Sequence, residues 1–155
     1  MLAHVAKRRR SHTTAVEVGS VLTFPSVPDR RGDLAFIEGN VHVPFDIKRV
    51  YYLYDVPAGA QRGGHAHRSL QQVLIAVSGS FDVYLDDGRS RVTRHLSRPD
   101  AGLFIGPMIW REINSFSPHA VCLVLASQRF DEDDYFREYS DFEAALSDRY
   151  GRSLF

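Results

Sequence analysis

The chain has 155 residues, 44% of them hydrophobic, enough to bury one core and too few for two ordinary domains. Lysine plus arginine equals aspartate plus glutamate at 19 each, so no global field draws the chain to nucleic acid, a membrane surface or a polyanion. No apolar run approaches the roughly 20 residues of a membrane span and the N-terminus lacks the apolar core of a signal peptide, so a soluble, cytoplasmic protein is the expectation.

Residues 1–14 contain Lys7-Arg8-Arg9-Arg10 with little apolar periodicity and are expected to form a flexible basic tail. Residues 15–155 are expected to form the single domain. In it, short segments rich in valine, isoleucine, tyrosine and phenylalanine recur between turn signals. Strands are predicted at Val21 to Phe24, Leu34 to Glu38, Lys48 to Val56, Gln72 to Ser78, Phe81 to Leu85, Arg91 to Leu96, Leu103 to Ile105, Ile109 to Ile113 and Ala120 to Ser127. Many short strands with no long helical pattern between them predict an all-β barrel or jelly roll. Ser78-Gly79 and Asp86-Asp87-Gly88 are tight-turn sequences, because glycine reaches positive φ without steric cost, and they predict three consecutive antiparallel strands. Cys122, the single cysteine, lies in the apolar run AVCLVLAS and reads as a buried thiol, which fits a reducing compartment. Near the end, Ser140-Asp141-Phe142-Glu143 has the spacing of a capping box and predicts a short C-terminal helix covering a sheet edge.

The segment Gly59-Ala60-Gln61-Arg62-Gly63-Gly64-His65-Ala66-His67 carries the chemistry. Side chains two apart on a strand project from one face, so His65 and His67 point together, into the barrel interior. Their spacing from Gly59, Gln72 and Gly79 resembles the first sequence motif of the cupin superfamily, whose usual function is metal binding. Metal-binding cupins place a glutamate where this chain has Gln72, and a further histidine where it has Arg111 or Glu112. An amide is a poor ligand for a transition metal and an arginine repels a cation, so no metal and no other cofactor is expected. Two unligated imidazoles in an apolar cavity suit proton transfer near neutrality. Arg31, Arg49 and Arg62 are candidates for gripping the oxygens of an anionic substrate such as a diphosphate. On the strand DIKRVYYLYDV, alternation puts Arg49 and Tyr51 on one face and Tyr52 and Tyr54 on the other. One of the two pairs lines the cavity, and Tyr52 is taken as the substrate-binding tyrosine.

The segments RRGDLAFIE, PFDIKRVYYLYDV, RGGHAH, QQVLIAVSGSFDVYLDDG, GLFIGPMIW, LVLAS and DEDDYFREY together resemble the dTDP-4-oxo-6-deoxy-D-glucose 3,4-ketoisomerases, the WxcM-like cupins that act on nucleotide-linked keto sugars. The resemblance runs from about Asp29 to Phe142. It implies a cupin jelly roll, a homodimer, no metal, and conversion of a dTDP-linked 4-keto-6-deoxy sugar to its 3-keto isomer. It also implies that His65 and His67 are the proton-transfer pair; the chemistry of a ketone that acidifies its neighbouring carbon assigns His65 as the base at C3, with His67 relaying or returning the proton. Arg31 and Arg111 would lie beside the sugar or diphosphate. Two other readings compete: a sugar-nucleotide 3,5-epimerase, which shares the fold and an Arg-Gly-x-His element, and a non-catalytic cupin that only binds a sugar nucleotide. Metal-dependent dioxygenase chemistry is a third.

Overall fold

A computed structural model of the chain describes residues 18–151, so the basic tail expected at 1–14 lies outside the described residues. Alternating apolar and polar side chains build twelve strands among them, with one 3-10 turn and one helix. The strands are β1 (Ser20–Thr23), β2 (Ser26–Val27), β3 (Leu34–Ala35), β4 (Arg49–Leu53), β5 (Arg62–His67), β6 (Gln72–Ser78), β7 (Phe81–Asp86), β8 (Arg91–Leu96), β9 (Ala101–Ile105), β10 (Trp110–Asn114), β11 (Val121–Ala126) and β12 (Tyr135–Phe136). The 3-10 turn covers Glu132–Asp134 and the helix, α1, covers Tyr139–Tyr150. Two five-stranded antiparallel sheets run in the orders β1-β9-β6-β11-β4 and β12-β5-β10-β7-β8, and β2 and β3 form a separate hairpin. This is the expected cupin jelly roll.

The two sheets enclose one core. Leu74, Ala76, Leu103, Ile105, Cys122 and Val124 from the first sheet meet Phe81, Val83, Leu85, Leu96 and Ile113 from the second. Cys122 is the buried thiol expected, and burial pushes its pKa up to about 12. A second cluster lies on the outer face of the first sheet, where Phe24, Val43 and Phe45 cover Val73, Ile75 and Leu125.

Three local expectations need correction. Asp86-Asp87-Gly88 does turn β7 into its partner β8, but Ser78-Gly79 does not make a hairpin: β6 belongs to one sheet and β7 to the other. Gly79, at φ +63°, instead turns a corner between the sheets, closed by Ser80 N–H donating to Ser117 Oγ and Ser117 N–H donating to Ser80 O. The capping box does not form either. Ser140 is already inside α1, the N-cap is Glu138, and no side chain caps the helix. Packing decides where the helix begins: Tyr139 and Phe142 stack on Trp110, and the Tyr139 hydroxyl donates to the buried Asp86 carboxylate. Finally, α1 covers a face rather than an edge, with Phe142 and Leu146 seated among Ala66, Met108, Trp110 and Phe136 outside the second sheet.

The corner can be tested by adding one methyl group. A Cβ at Gly79 would lie 2.5 Å from Ser117 Oγ and 2.8 Å from Ala120 Cα, whereas one at Gly59, φ +79°, meets nothing within 4 Å. Gly79→Ala should lower unfolding free energy by about 3 kcal/mol, steric plus backbone strain, and Gly59→Ala by about 1 kcal/mol, backbone strain alone. Urea denaturation checks the difference; equal losses would contradict the close approach.

Candidate active site

The two histidines stand on β5, and their common orientation survives a local irregularity. Gly63 and Gly64 both take positive φ, and the β5–β10 register slips between Arg111 and Glu112, so that Gly64 is the extra residue of a bulge. A side chain at Gly63 would place its Cβ 3.1 Å from the Arg111 carbonyl oxygen, so the close strand approach requires glycine there. Past the bulge His65 pairs with Arg111 across the ladder. The His65 and His67 rings lie edge to face with centroids 4.9 Å apart.

Between the sheets is a cavity of about 370 Å³, lined by residues of both sheets and of the segment after β11. His65, Arg49, Arg62 and Arg111 line it as expected. His67 does not; it is fully buried behind the wall, its ring 4.3 Å from that of the lining residue Tyr135.

Two expected residues are displaced. On β4 the inward face carries Arg49 and Tyr51, because Tyr51 pairs with the buried Val124 of β11. Tyr52 is on the outer face, 58% exposed, with its ring against Tyr54, so Tyr51 replaces Tyr52 as the cavity tyrosine. Arg31 is in the β2–β3 connection, its side chain 90% exposed and held by Asp29 at 2.8 Å, and it does not line the cavity of its own chain.

The electrostatics are set by Arg111, which is completely buried. Its guanidinium donates to the Gln72 amide oxygen and, at 2.8 Å, to the Ile109 carbonyl; both partners are neutral. Burial lowers its pKa to about 10, which leaves it charged at neutral pH. Gln72 in turn donates its Nε2–H to the Tyr51 hydroxyl at 2.9 Å. The Tyr51 O–H remains available as a donor, and burial raises its pKa further above the working range. Burial first and the Arg111 charge second lower the pKa of His65 to about 4, against a weaker opposing hydrogen bond to the Gly63 backbone. The same two causes, in the same order, depress His67. The Nε2 atoms of both histidines are buried with no protein hydrogen-bond partner among the described residues. The site therefore holds two neutral imidazoles, each with an unengaged nitrogen, beside a fixed cation and a phenol donor.

At the mouth, the Arg49 guanidinium lies 5.3 Å from the Tyr51 ring and 5.7 Å from that of Phe130, while Arg137 stacks at 4.2 Å on Tyr135. Arg49 and Arg62 give the entrance a positive rim suited to a polyanion, whereas the Arg137 guanidinium is paired with the Glu132 carboxylate. Phe130, Tyr135 and Arg137 escaped sequence reasoning, because QRFDEDDYFREY reads as a solvated charged loop and β12 is too short for periodicity to register. Asp134 escaped too: within four consecutive acids, burial alone distinguishes it. Glu112, which with Arg111 stands where metal-binding cupins have a further histidine, is turned away from the histidines and accepts from Trp110 Nε1.

The WxcM-like, C-terminal (FdtA) family model matches residues 18–147. The chain belongs to this family. The TDP-4-oxo-6-deoxy-alpha-D-glucose-3,4-oxoisomerase of Aneurinibacillus thermoaerophilus is 46% identical over 127 residues, 82% of this chain and 91% of the relative. A solved structure of the 3,4-ketoisomerase QdtA from Thermoanaerobacterium thermosaccharolyticum, with one histidine replaced by asparagine and TDP-4-keto-6-deoxyglucose bound, superposes with a TM-score of 0.84 at 38% identity, covering 88% of this chain and 99% of that one. The TDP-quinovose 3,4-ketoisomerase WlaRB from Campylobacter jejuni superposes with a TM-score of 0.79 at 45% identity, covering 83% and 99%.

The charge state of the histidines has a direct readout. An unfolded imidazole takes up a proton near pH 6.5, and His65 does so at about 4. The folded state therefore binds fewer protons in this window and loses stability as the pH falls from 6.5 towards 4. In an NMR titration His65 should remain neutral from pH 8 to well below 6; a midpoint near 6.5 would contradict the effect of burial and of the Arg111 charge on it.

Proposed function

We propose that this chain is a sugar-nucleotide 3,4-ketoisomerase that converts dTDP-4-oxo-6-deoxy-D-glucose to a dTDP-3-oxo-6-deoxyhexose, in the making of deoxy and amino sugars. The observation that carries the reading is the unengaged His65 Nε2 at the wall of a cavity that also holds Arg111 and the Tyr51 hydroxyl. The 46% identity to a 3,4-oxoisomerase supports it independently.

The C4 carbonyl acidifies the C3 hydrogen, and His65 removes it as a proton. The electron pair left at C3 forms the C3–C4 double bond while the carbonyl electrons move to O4, giving an enediolate. Transfer of the hydroxyl proton from O3 to O4 and reprotonation at C4 complete the exchange, leaving the ketone at C3 and a hydroxyl at C4. Arg111 and the Tyr51 O–H stabilise the negative charge that develops on the oxygens, an effect that supplies about 3 kcal/mol per well-placed donor in other enzymes. The diphosphate sits at the rim of Arg49 and Arg62. No metal takes part: the Gln72 oxygen is engaged by Arg111, and that guanidinium disfavours a second cation beside the imidazoles.

The working unit in this reading is a homodimer. Val50 and Tyr52 are exposed on the edge strand β4 and Tyr54 just past it, as are Val27, Leu34 and Phe36 around the β2–β3 hairpin, apolar surface that a second copy of the chain would cover. Arg31, excluded from its own chain's cavity, then reaches the sugar nucleotide of the other copy.

Incubation with dTDP-4-oxo-6-deoxyglucose and NMR of the product tests the reaction. The wild type should give the 3-keto isomer; inversion at C3 and C5 would establish the epimerase reading, and unchanged substrate the binding-only reading. His65→Asn should still bind dTDP but isomerise, and exchange the C3 hydrogen in deuterated water, roughly 1,000-fold more slowly. Mixing His65→Asn with Arg31→Ala should restore about a quarter of wild-type activity, the share of complete sites under random pairing in a two-fold dimer. No recovery would place Arg31 outside the partner's site.

A further inference from the structure

Asp134 closes the 3-10 turn just before β12 and is buried, although it belongs to the acidic run Asp131-Glu132-Asp133-Asp134 whose other members are exposed. Its carboxylate is surrounded by donors. Oδ1 accepts the Ser69 N–H at 2.8 Å, and Oδ2 accepts the Leu70 N–H at 3.2 Å and lies 3.1 Å from His67 Nδ1. The turn is clamped to the end of β5 by further bonds. Arg68 N–H donates to the Asp134 carbonyl, and the Arg68 guanidinium donates to the carbonyls of Asp133 and Tyr135. The carboxylate is thus held in place independently of His67.

An ionised carboxylate can only accept hydrogen bonds, so the proton of a neutral His67 must sit on Nδ1 to make this contact. The lone pair then falls on Nε2, the nitrogen with no hydrogen-bond partner among the described residues. With the proton on Nε2 instead, two lone pairs would face each other across 3.1 Å and the acceptor nitrogen would be pointed at Asp134 rather than towards the neighbouring rings of His65 and Tyr135.

We propose that Asp134 is a positioning residue of the isomerisation: it fixes His67 as the Nδ1–H tautomer, so that His67 serves as a proton acceptor behind the cavity wall. This rests on the reading of His65 and His67 as the proton-transfer pair. An imidazolium formed at His67 during turnover faces a carboxylate 3.1 Å away, which balances the charge that Arg111 and burial oppose in the resting state. A carboxylate that only pinned the turn to the β5–β6 connection would satisfy Ser69 and Leu70 and have no effect on where the His67 proton sits.

Nitrogen-15 NMR of the intact wild-type enzyme reads the tautomer directly. His67 should show a protonated Nδ1 and an unprotonated Nε2 at neutral pH; a protonated Nε2 overturns the proposal. Asp134→Asn keeps an oxygen for Ser69 but turns an amide N–H towards Nδ1, and should move the His67 proton to Nε2. It should lower kcat by about 30-fold or more with KM within threefold, because a wrong tautomer penalises the chemical step rather than binding. A shifted tautomer with kcat unchanged, or a lowered kcat with the tautomer unmoved, overturns the positioning role. C3 exchange persisting in His65→Asn sinks the isomerase mechanism. A protonated Nε2 in a wild type that isomerises normally sinks only the role of Asp134.

Discussion

A guanidinium buried between two β-sheets, with no carboxylate hydrogen-bonded to it among the described residues, is the constraint on which the rest of this structure depends. Removing a charge from water costs several kcal/mol even after relaxation, and proteins ordinarily offset that with an opposite charge. Among the described residues, Arg111 hydrogen-bonds the amide oxygen of Gln72 and the backbone carbonyl of Ile109, with the Asp134 carboxylate acting on it from a distance. Partial dipoles hold the cation in place without neutralising it. Its field acts on the groups around it, disfavouring protonated His65 and His67 and favouring any anion that forms in the cavity. A reaction through an enediolate brings such an anion, so a group that is unfavourable in the resting fold becomes favourable in the transition state.

The architecture makes this arrangement rigid. His65 and Arg111 face each other across the β5–β10 ladder, Gln72 comes from β6 in the opposite sheet, and Tyr51 from β4 of that same sheet, with β11 between them. The chain of contacts from Arg111 through Gln72 to Tyr51 therefore bridges the two sheets across the cavity. Each member is on a strand rather than a loop, which limits the motion that would blur proton-transfer geometry. The loop-borne groups, Phe130 and Arg137, are at the mouth, where binding a flexible nucleotide needs reach more than precision.

Much of this was legible in the sequence, and the failures have physical causes. Period-two alternation in strands such as Phe81 to Asp86 gave the sheets, and His65-Ala66-His67 gave the shared orientation of the imidazoles. Pairing was less accessible. Ser78-Gly79 looks like a hairpin because a local signal cannot tell a turn within a sheet from a corner between two. Tyr51 and Tyr52 could not be ranked because alternation gives opposite faces without saying which is inner; the pairing of Tyr51 with buried Val124 decides it. Arg31 was matched by motif, but motifs carry no information about which chain's cavity a residue serves. Asp134 was hidden by composition, since an acidic run reads as solvated whatever one member does.

The central claim is that the Arg111 charge drives carbanion formation at C3. The direct measurement is the rate at which the C3 hydrogen of bound dTDP-4-oxo-6-deoxyglucose exchanges with deuterated water, compared between wild type and Arg111→Met. Loss of the buried cation should slow that exchange by about 100-fold or more, while the His65 pKa rises from about 4 but stays below its ordinary value, because burial, the larger cause of the shift, remains. Exchange at the wild-type rate in a folded Arg111→Met variant would contradict the account.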